Sequence, residues 1–263
     1  MDNKMFEVKL KALKATPPIN IELAVQRGGK AIAKRSKISE ADFDSIFLTD
    51  KRHELYDIYG DVIIDSSWTR IPDKLRVMPG TTNLTGTFDD GDYLEEIDIS
   101  DFDTSTVTNM KLMFSSLGRL AVNTPQIKGL EKLNTSSVTD MSHMFQSAGL
   151  TEINLHTWDT SKVTTMCEMF RGCKKLEILD VSGFDTSNVT NFSWIFYGCD
   201  NLREVRGVFD LSSSYGTSKT LEFTRFGDKP PKLEKPIQLK NVPRELYIYD
   251  RGGMFEILSY KEN

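Results

Sequence analysis

The sequence predicts an α/β solenoid of parallel sheet and short helices, flanked by a small α+β module before it and a β cap after it. Three observations predict this. One eleven-residue pattern occurs four times between Thr104 and Phe196. A second, strand-like pattern alternates with the first. The flanking residues follow neither, which divides the chain into an N-terminal module (1–66), a repeat region (67–212) and a C-terminal cap (213–263).

The N-terminal module opens with two alternating apolar and polar runs, Phe6-Glu-Val-Lys-Leu-Lys and Ile19-Asn-Ile-Glu-Leu-Ala-Val. These read as strands on either side of a Thr16-Pro-Pro turn, and Arg27-Gly-Gly supplies the next turn. Ser39-Glu-Ala-Asp carries an N-cap signal and starts a helix. Ile58 to Ile64 reads as a further strand.

The repeat region carries the strongest signal. Its four copies are Thr104-Ser-Thr-Val-Thr-Asn-Met-Lys-Leu-Met-Phe114, Thr135-Ser-Ser-Val-Thr-Asp-Met-Ser-His-Met-Phe145, Thr160-Ser-Lys-Val-Thr-Thr-Met-Cys-Glu-Met-Phe170 and Thr186-Ser-Asn-Val-Thr-Asn-Phe-Ser-Trp-Ile-Phe196. Their starts lie 31, 25 and 26 residues apart, and a worn copy, Asn83-Leu-Thr-Gly-Thr-Phe88, precedes them. Val107, Met110, Met113 and Phe114 fall at i, i+3, i+6 and i+7, the spacing of one face of a short helix. The preceding Thr and Ser side chains suit the open N–H groups of a first helical turn. The wide first interval carries about five extra residues near Val122 to Lys128, read as a loop, because insertions in solenoids map to loops.

Between the copies, Leu94-x-x-Ile97-x-Ile99-x-x-Phe102 recurs as Leu150-x-x-Ile153-x-Leu155-x-x-Trp158 and Leu176-x-x-Leu179-x-Val181-x-x-Phe184. Each is a short strand with one buried face. A lone strand–turn–helix unit cannot bury its apolar side, whereas stacked units share a core. The polar strand positions Asp98, Asn154 and Asp180 then line the outer face in a row that Arg206 extends. These four are the candidate partner-contact residues, because solenoids bind along their sheet surface.

After the repeats, Lys229-Pro-Pro-Lys-Leu-Glu-Lys-Pro236 reads as a linker. Ile237-Gln-Leu-Lys, Glu245-Leu-Tyr-Ile-Tyr and Met254-Phe-Glu-Ile-Leu follow as strands, the last two flanking an Asp250-Arg-Gly-Gly hairpin turn.

With 263 residues, 39% of them apolar, and a net charge of −5, the chain has material for a core but not the basic balance of a nucleic-acid coat. Residues 1–40 carry +5, residues 41–79 carry −3, residues 80–160 carry −8 and residues 161–263 carry +1, so a basic head precedes an acidic middle. No run approaches the roughly 20 apolar residues of a membrane span. The start of the chain shows no apolar signal region, so the expected setting is virion-associated or cytoplasmic rather than secreted.

A search for chemistry yields no catalytic constellation. The histidines are His53, His143 and His156, and no HExxH, CxxC, GxSxG, Walker or GxGxxG motif occurs. His53 beside Asp50, Glu54 and Asp57 reads as a polar helix face. His143 sits where other copies hold Leu112, Glu168 and Trp194, which marks a surface position. Cys173 and Cys199 share one position in successive repeats and read as a small buried ladder rather than a disulfide or metal pair. Cys167 reads as a gap filler. Asp89-Asp-Gly-Asp92 with Glu95, Glu96 and Asp98 has the oxygen density of a Ca²⁺ loop without its spacing, and reads as a solvated turn. Asp103, Asn134, Asp159 and Asp185 recur just before each Thr and suit local Asx turns. The expectation is a chain without cofactor, metal or enzymatic activity.

The run from Leu179 through Phe196 to Leu202 resembles the BspA-like leucine-rich repeat of bacterial surface proteins, also found in mycoplasmas and phages. The resemblance spans about residues 80–212. It implies a leucine-rich-repeat-type solenoid that binds a protein or cell-surface ligand and is not an enzyme. The expected role is adhesion, as a phage virion accessory or host-binding protein. The alternative is an intracellular inhibitor or regulator whose acidic repeat face occupies a host protein. Neither reading involves nucleic acid or membrane insertion.

Overall fold

A computed structural model describes residues 47–48, 76–77, 80–214, 231–242 and 254–261. Strand β1 (Phe47–Leu48) pairs in parallel with β2 (Arg76–Val77). The strands expected at 6–11, 19–25, 58–64 and 245–249, the helix expected from Ser39 and the turn expected at Asp250 lie outside the described residues. From residue 80 the chain winds into a parallel β-solenoid of about five rungs.

Each rung has two parallel contact lines. Along one, Asn83, Asn109, Asp140, Thr165 and Asn191 bridge in register from rung to rung. Along the other lie the expected short strands. β3 (Glu96–Asp98) pairs with β4 (Gln126–Lys128), while β5 (Glu152–Asn154), β6 (Ile178–Asp180) and β7 (Glu204–Arg206) form a second sheet. The central residue of β3, β5 and β6 is buried and its neighbours are less so, which is the alternation the sequence carries.

The short helices expected from the Val–Met–Met–Phe spacing do not form. Each of those segments is a chain of tight turns. Met113 N–H donates to the Met110 carbonyl (3.2 Å) and Ser115 N–H to the Leu112 carbonyl (3.1 Å). The alternate donors reach across to the next rung: Leu112 N–H to Ser142 O (3.1 Å), Phe114 N–H to Met144 O (2.8 Å) and Ser116 N–H to Gln146 O (2.7 Å). An α-helix would direct those groups along its own axis, four residues back. Stacked rungs offer partners at right angles instead. The backbone at Leu112, His143, Glu168 and Trp194 turns left-handed, with φ between 55° and 59°, which no α-helix contains. Among the described residues the one helical element is a 3₁₀ turn at Leu130–Lys132.

The apolar positions themselves are buried as expected. Val107, Met110, Met113 and Phe114, with their counterparts Val138 to Phe145 and Val163 to Phe170, have no exposed surface. Phe88, Phe114, Phe145, Phe170 and Phe196 stack in one column with centroids 5.2–6.0 Å apart. Phe209 ends it edge-on at 88°.

The expected insertion loop is partly ordered as sheet. Val122 projects into solvent, 92% exposed, but Gln126–Lys128 returns as β4. Between β4 and β5 the rungs are joined by side chains: Thr157 Oγ1 donates to Glu131 O (2.9 Å) and Trp158 Nε1 to Leu130 O (3.0 Å). Past residue 207 the stacking continues, since β8 (Val208–Asp210), β9 (Ile237–Lys240) and β10 (Phe255–Ile257) pair in parallel. No described helix is long and apolar enough to cross a membrane.

Candidate functional site

The outer row falls into two groups. Asn154, Asp180 and Arg206 are direct neighbours on β5, β6 and β7. Asp98 stands apart on β3, opposite Lys128 of β4. On the three-stranded sheet Arg206 is the single cation among Glu152, Asp180 and Glu204 at the outward positions. It makes two bonds to Glu204 (3.1 and 3.0 Å) and lies 3.7 Å from Asp180 Oδ2. Asn154 and Arg206 are exposed and Asp180 is half-buried.

These side chains also hold the backbone. Asp98 Oδ1 accepts from Ser100 N–H (2.9 Å), Asn154 Oδ1 from His156 N–H (3.2 Å) and Asp180 Oδ1 from Ser182 N–H (3.0 Å). An oxygen that accepts the N–H two residues on makes an Asx turn, which ends each strand at the same point. The Ser100 N–H, then its hydroxyl, holds the Asp98 carboxyl below the usual range against slight burial, with Lys128 and Lys132 assisting. At Asp180 partial burial pushes up, but the Ser182 hydroxyl and N–H, Arg206 and His156 together pull the carboxyl down. The outer row therefore carries ionised carboxylates fixed in position.

The ladder of Asp103, Asn134, Asp159 and Asp185 is of the same kind. Each Oδ1 accepts the N–H of Ser105, Ser136, Ser161 or Ser187 at 3.0–3.1 Å. The acidic cluster is divided by cross-rung pairing: Asp92 takes two bonds from Arg119 (both 2.9 Å), Glu95 takes the Asn123 amide and Glu96 pairs with Lys128. Cys173 and Cys199 are reduced and buried, and their Sγ–H groups donate to Phe145 O (2.9 Å) and Phe170 O (3.0 Å).

A second column, mixed in chemistry, is not legible in the sequence. It is built on the left-handed turn residues, whose backbones are set in register from rung to rung. Leu112, His143, Glu168 and Trp194 occupy it, so His143 is half-buried rather than a plain surface residue. Glu168 Oε2 accepts from Arg171 Nη1 (2.7 Å) and Gln146 Nε2 (2.9 Å) and lies 3.5 Å from His143 Nδ1. The Arg171 guanidinium lies 5.1 Å from the Trp194 ring centroid and 5.4 Å from that of Tyr197. Trp194 Nε1 is buried without a hydrogen-bond partner. The variation of residue type down the column was the one signal available, and without the turn geometry it reads only as exposure.

Comparison with known protein families gives one match. A family model described as "Mycoplasma protein of unknown function, DUF285" covers residues 78–125 and 118–226, more than half of the chain. No curated protein and no solved structure matches it.

Proposed function

From the premise that the chain belongs to the DUF285 family of Mycoplasma-type repeat proteins, we propose that it is a non-enzymatic binding module. Its solenoid presents the outer face of β5–β7 to a protein or cell-surface ligand. The observation that supports this most directly is a contrast within the repeats. Inward positions keep Val, Met and Phe or close equivalents from rung to rung. Outward positions at the same register on the sheet change: Asn154, Asp180 and Arg206 in one row, and Glu152, Ile178 and Glu204 beside it. A scaffold with a fixed interior and a varied rigid exterior has the organisation of a recognition surface.

On this reading Arg206 and Asp180 contact the partner, and Glu152 and Glu204 set the acidic surroundings. The finer form is host-surface attachment, borne on a phage particle or a cell surface. The test is binding of the labelled, purified protein to intact cells and to phage particles from the source organism. Saturable binding that the Arg206→Glu variant loses supports the reading. Absence of binding to either, with salt-sensitive capture of one cytosolic protein instead, favours the intracellular inhibitor.

A further inference from the structure

We propose that His143, Cys167 and Glu168 form a binding site for a borderline-soft divalent metal ion of the Zn²⁺ class. Among the described residues they are the one group in which three potential ligand side chains converge, with an imidazole nitrogen, the Cys167 sulfur and a carboxylate oxygen all within 4.8 Å of one another.

The convergence follows from the fold. His143 and Glu168 are the same left-handed turn residue in successive rungs, and His143 N–H donates to the Cys167 carbonyl at 2.8 Å. The backbones are thus locked in register at the point where the three side chains emerge. All three are half-buried or buried, so a bound ion would be partly shielded from water.

One spacing already matches a tetrahedral ion, and the Cys167 sulfur, within 4.8 Å of the other two ligand atoms, would close in on binding. Metal–nitrogen and metal–oxygen bonds near 2.0–2.1 Å and metal–sulfur bonds near 2.3 Å place neighbouring ligand atoms roughly 3.3–3.6 Å apart. His143 Nδ1 and Glu168 Oε2 already lie 3.5 Å apart. A mixed nitrogen, sulfur and oxygen set favours Zn²⁺ or Co²⁺ over the oxygen-seeking Mg²⁺ and Ca²⁺. Three protein ligands leave the fourth position to water.

The supporting shell is present as well. Arg171 and Gln146 both donate to Glu168 Oε2 and so orient the carboxylate, as outer contacts orient ligands, and a metal bond to that oxygen would replace one of them. Arg171 also adds a positive charge beside the site. Binding requires the Cys167 thiolate, so the thiol proton leaves to solvent as the metal–sulfur bond forms. Thiolate and carboxylate then face one guanidinium, and the incoming dication meets a net negative charge.

The sibling rungs supply variants that the fold already accepts. Position 167 corresponds to Ser142 and Ser193, and position 143 to Leu112. The experiment titrates Co²⁺ into the reduced full-length protein and records its absorption spectrum. One equivalent should bind with tetrahedral d–d bands and a thiolate-to-cobalt charge-transfer band, and Zn²⁺ should displace it. Cys167→Ser should abolish the charge-transfer band, and His143→Leu should weaken Co²⁺ binding by more than about tenfold, the least that loss of even an outer-shell partner costs. An octahedral spectrum without a thiolate band, a thiolate band that survives in Cys167→Ser, or unchanged affinity in His143→Leu would overturn the site.

Discussion

The rings of Phe114 and Phe145 stack 5.2 Å apart at 19°, the closest pair in the phenylalanine column. They are 31 residues apart in sequence, across the widest interval in the repeat region. The extra residues are therefore pushed outward around Val122 without loosening the core beneath them. Each ring is clamped from both sides, and deletion of one leaves a void that neither neighbouring rung can close alone. Phe145→Ala should destabilise the protein by about 3–5 kcal/mol, measured by urea unfolding. Phe145→Leu should cost clearly less. Equal losses in the two variants would mean the column is not the clamped core described.

Thr160 joins two rungs through both roles of its hydroxyl. Oγ1 donates to the Asp185 carbonyl and accepts from the Asp185 N–H, each at 2.9 Å. Thr135 and Thr186 donate in the same way to Asp159 O (2.9 Å) and Asp210 O (3.2 Å). Thr160→Val keeps the shape but leaves a donor and an acceptor unmet beside the core, at a cost of about 1–3 kcal/mol. Thr160→Ser should retain most of the stability. Chemical denaturation of the pair separates hydrogen bonding from packing, and a fully stable Val variant would contradict the ladder.

The two stacked thiols give a prediction on the alkaline side. Burial pushes the Cys173 thiol up from 9.0 to about 12, against smaller opposing effects of the Ala148 and Ser147 backbone. Burial also raises Cys199 well above its ordinary value, with the neighbouring Cys173 adding to the effect. The folded state therefore holds these protons longer than the unfolded chain does. Their contribution is complete below about pH 9 and falls as pH rises toward 12. For one thiol the slope is about 1.4 kcal/mol per pH unit. Cys173→Ala should flatten the alkaline loss of stability in urea titrations between pH 8 and 10. A thiol reagent at pH 8 should leave Cys173 and Cys199 unmodified in the native protein and label them in urea.

Much of this fold was readable because the solenoid repeats a simple rule. Val107, Met110, Met113 and Phe114 were recognisable as one buried set, and Ile97, Ile153 and Leu179 as inward strand residues. The local conformation of the first set was not readable. Spacings of three and four residues suit a helix and also suit successive tight turns, and the two differ only in where the N–H groups go. Phe114 N–H goes to Met144 of the next rung, a long-range pairing that no local window contains. The left-handed residues added to the difficulty. Leu112, His143, Glu168 and Trp194 are not glycines, so nothing in their identity announces φ near 57°. For the same reason the sheet row was placed by alternation alone, whereas the meeting of His143, Cys167 and Glu168 required the rungs to be stacked first. Asp98 was grouped with Asn154 and Asp180 by pattern, yet β4 stands beside it and the sheet is interrupted before β5.

The aspartates that close the turns make acid the other limit of stability. Asp98, Asp159, Asp180 and Asp210 all have carboxyls held below the ordinary value of 3.8. For groups lowered by folding, the stabilisation is present above the unfolded value and disappears as pH falls through the folded one. Melting temperature should therefore hold between pH 7 and 5 and drop once pH passes below about 4. Asp210 carries the most informative test because it joins β8 to the C-terminal strands. Burial works against its ionisation, but Ser212 N–H (2.9 Å), the Asn241 amide (2.9 Å) and Lys240 (3.5 Å) overcome it. Asp210→Ala leaves the Ser212 and Asn241 donors unmet and should cost about 1–3 kcal/mol at pH 7. Asp210→Asn keeps an acceptor for Ser212, as Asn134 does for Ser136, but carries no charge to lose. It should be less destabilised at pH 7 and show a shallower fall in melting temperature between pH 5 and 3. An acid profile parallel to that of the unaltered protein would show that Asp210 acts through shape alone, and the ionised turn would not be what fastens the last strands to the stack.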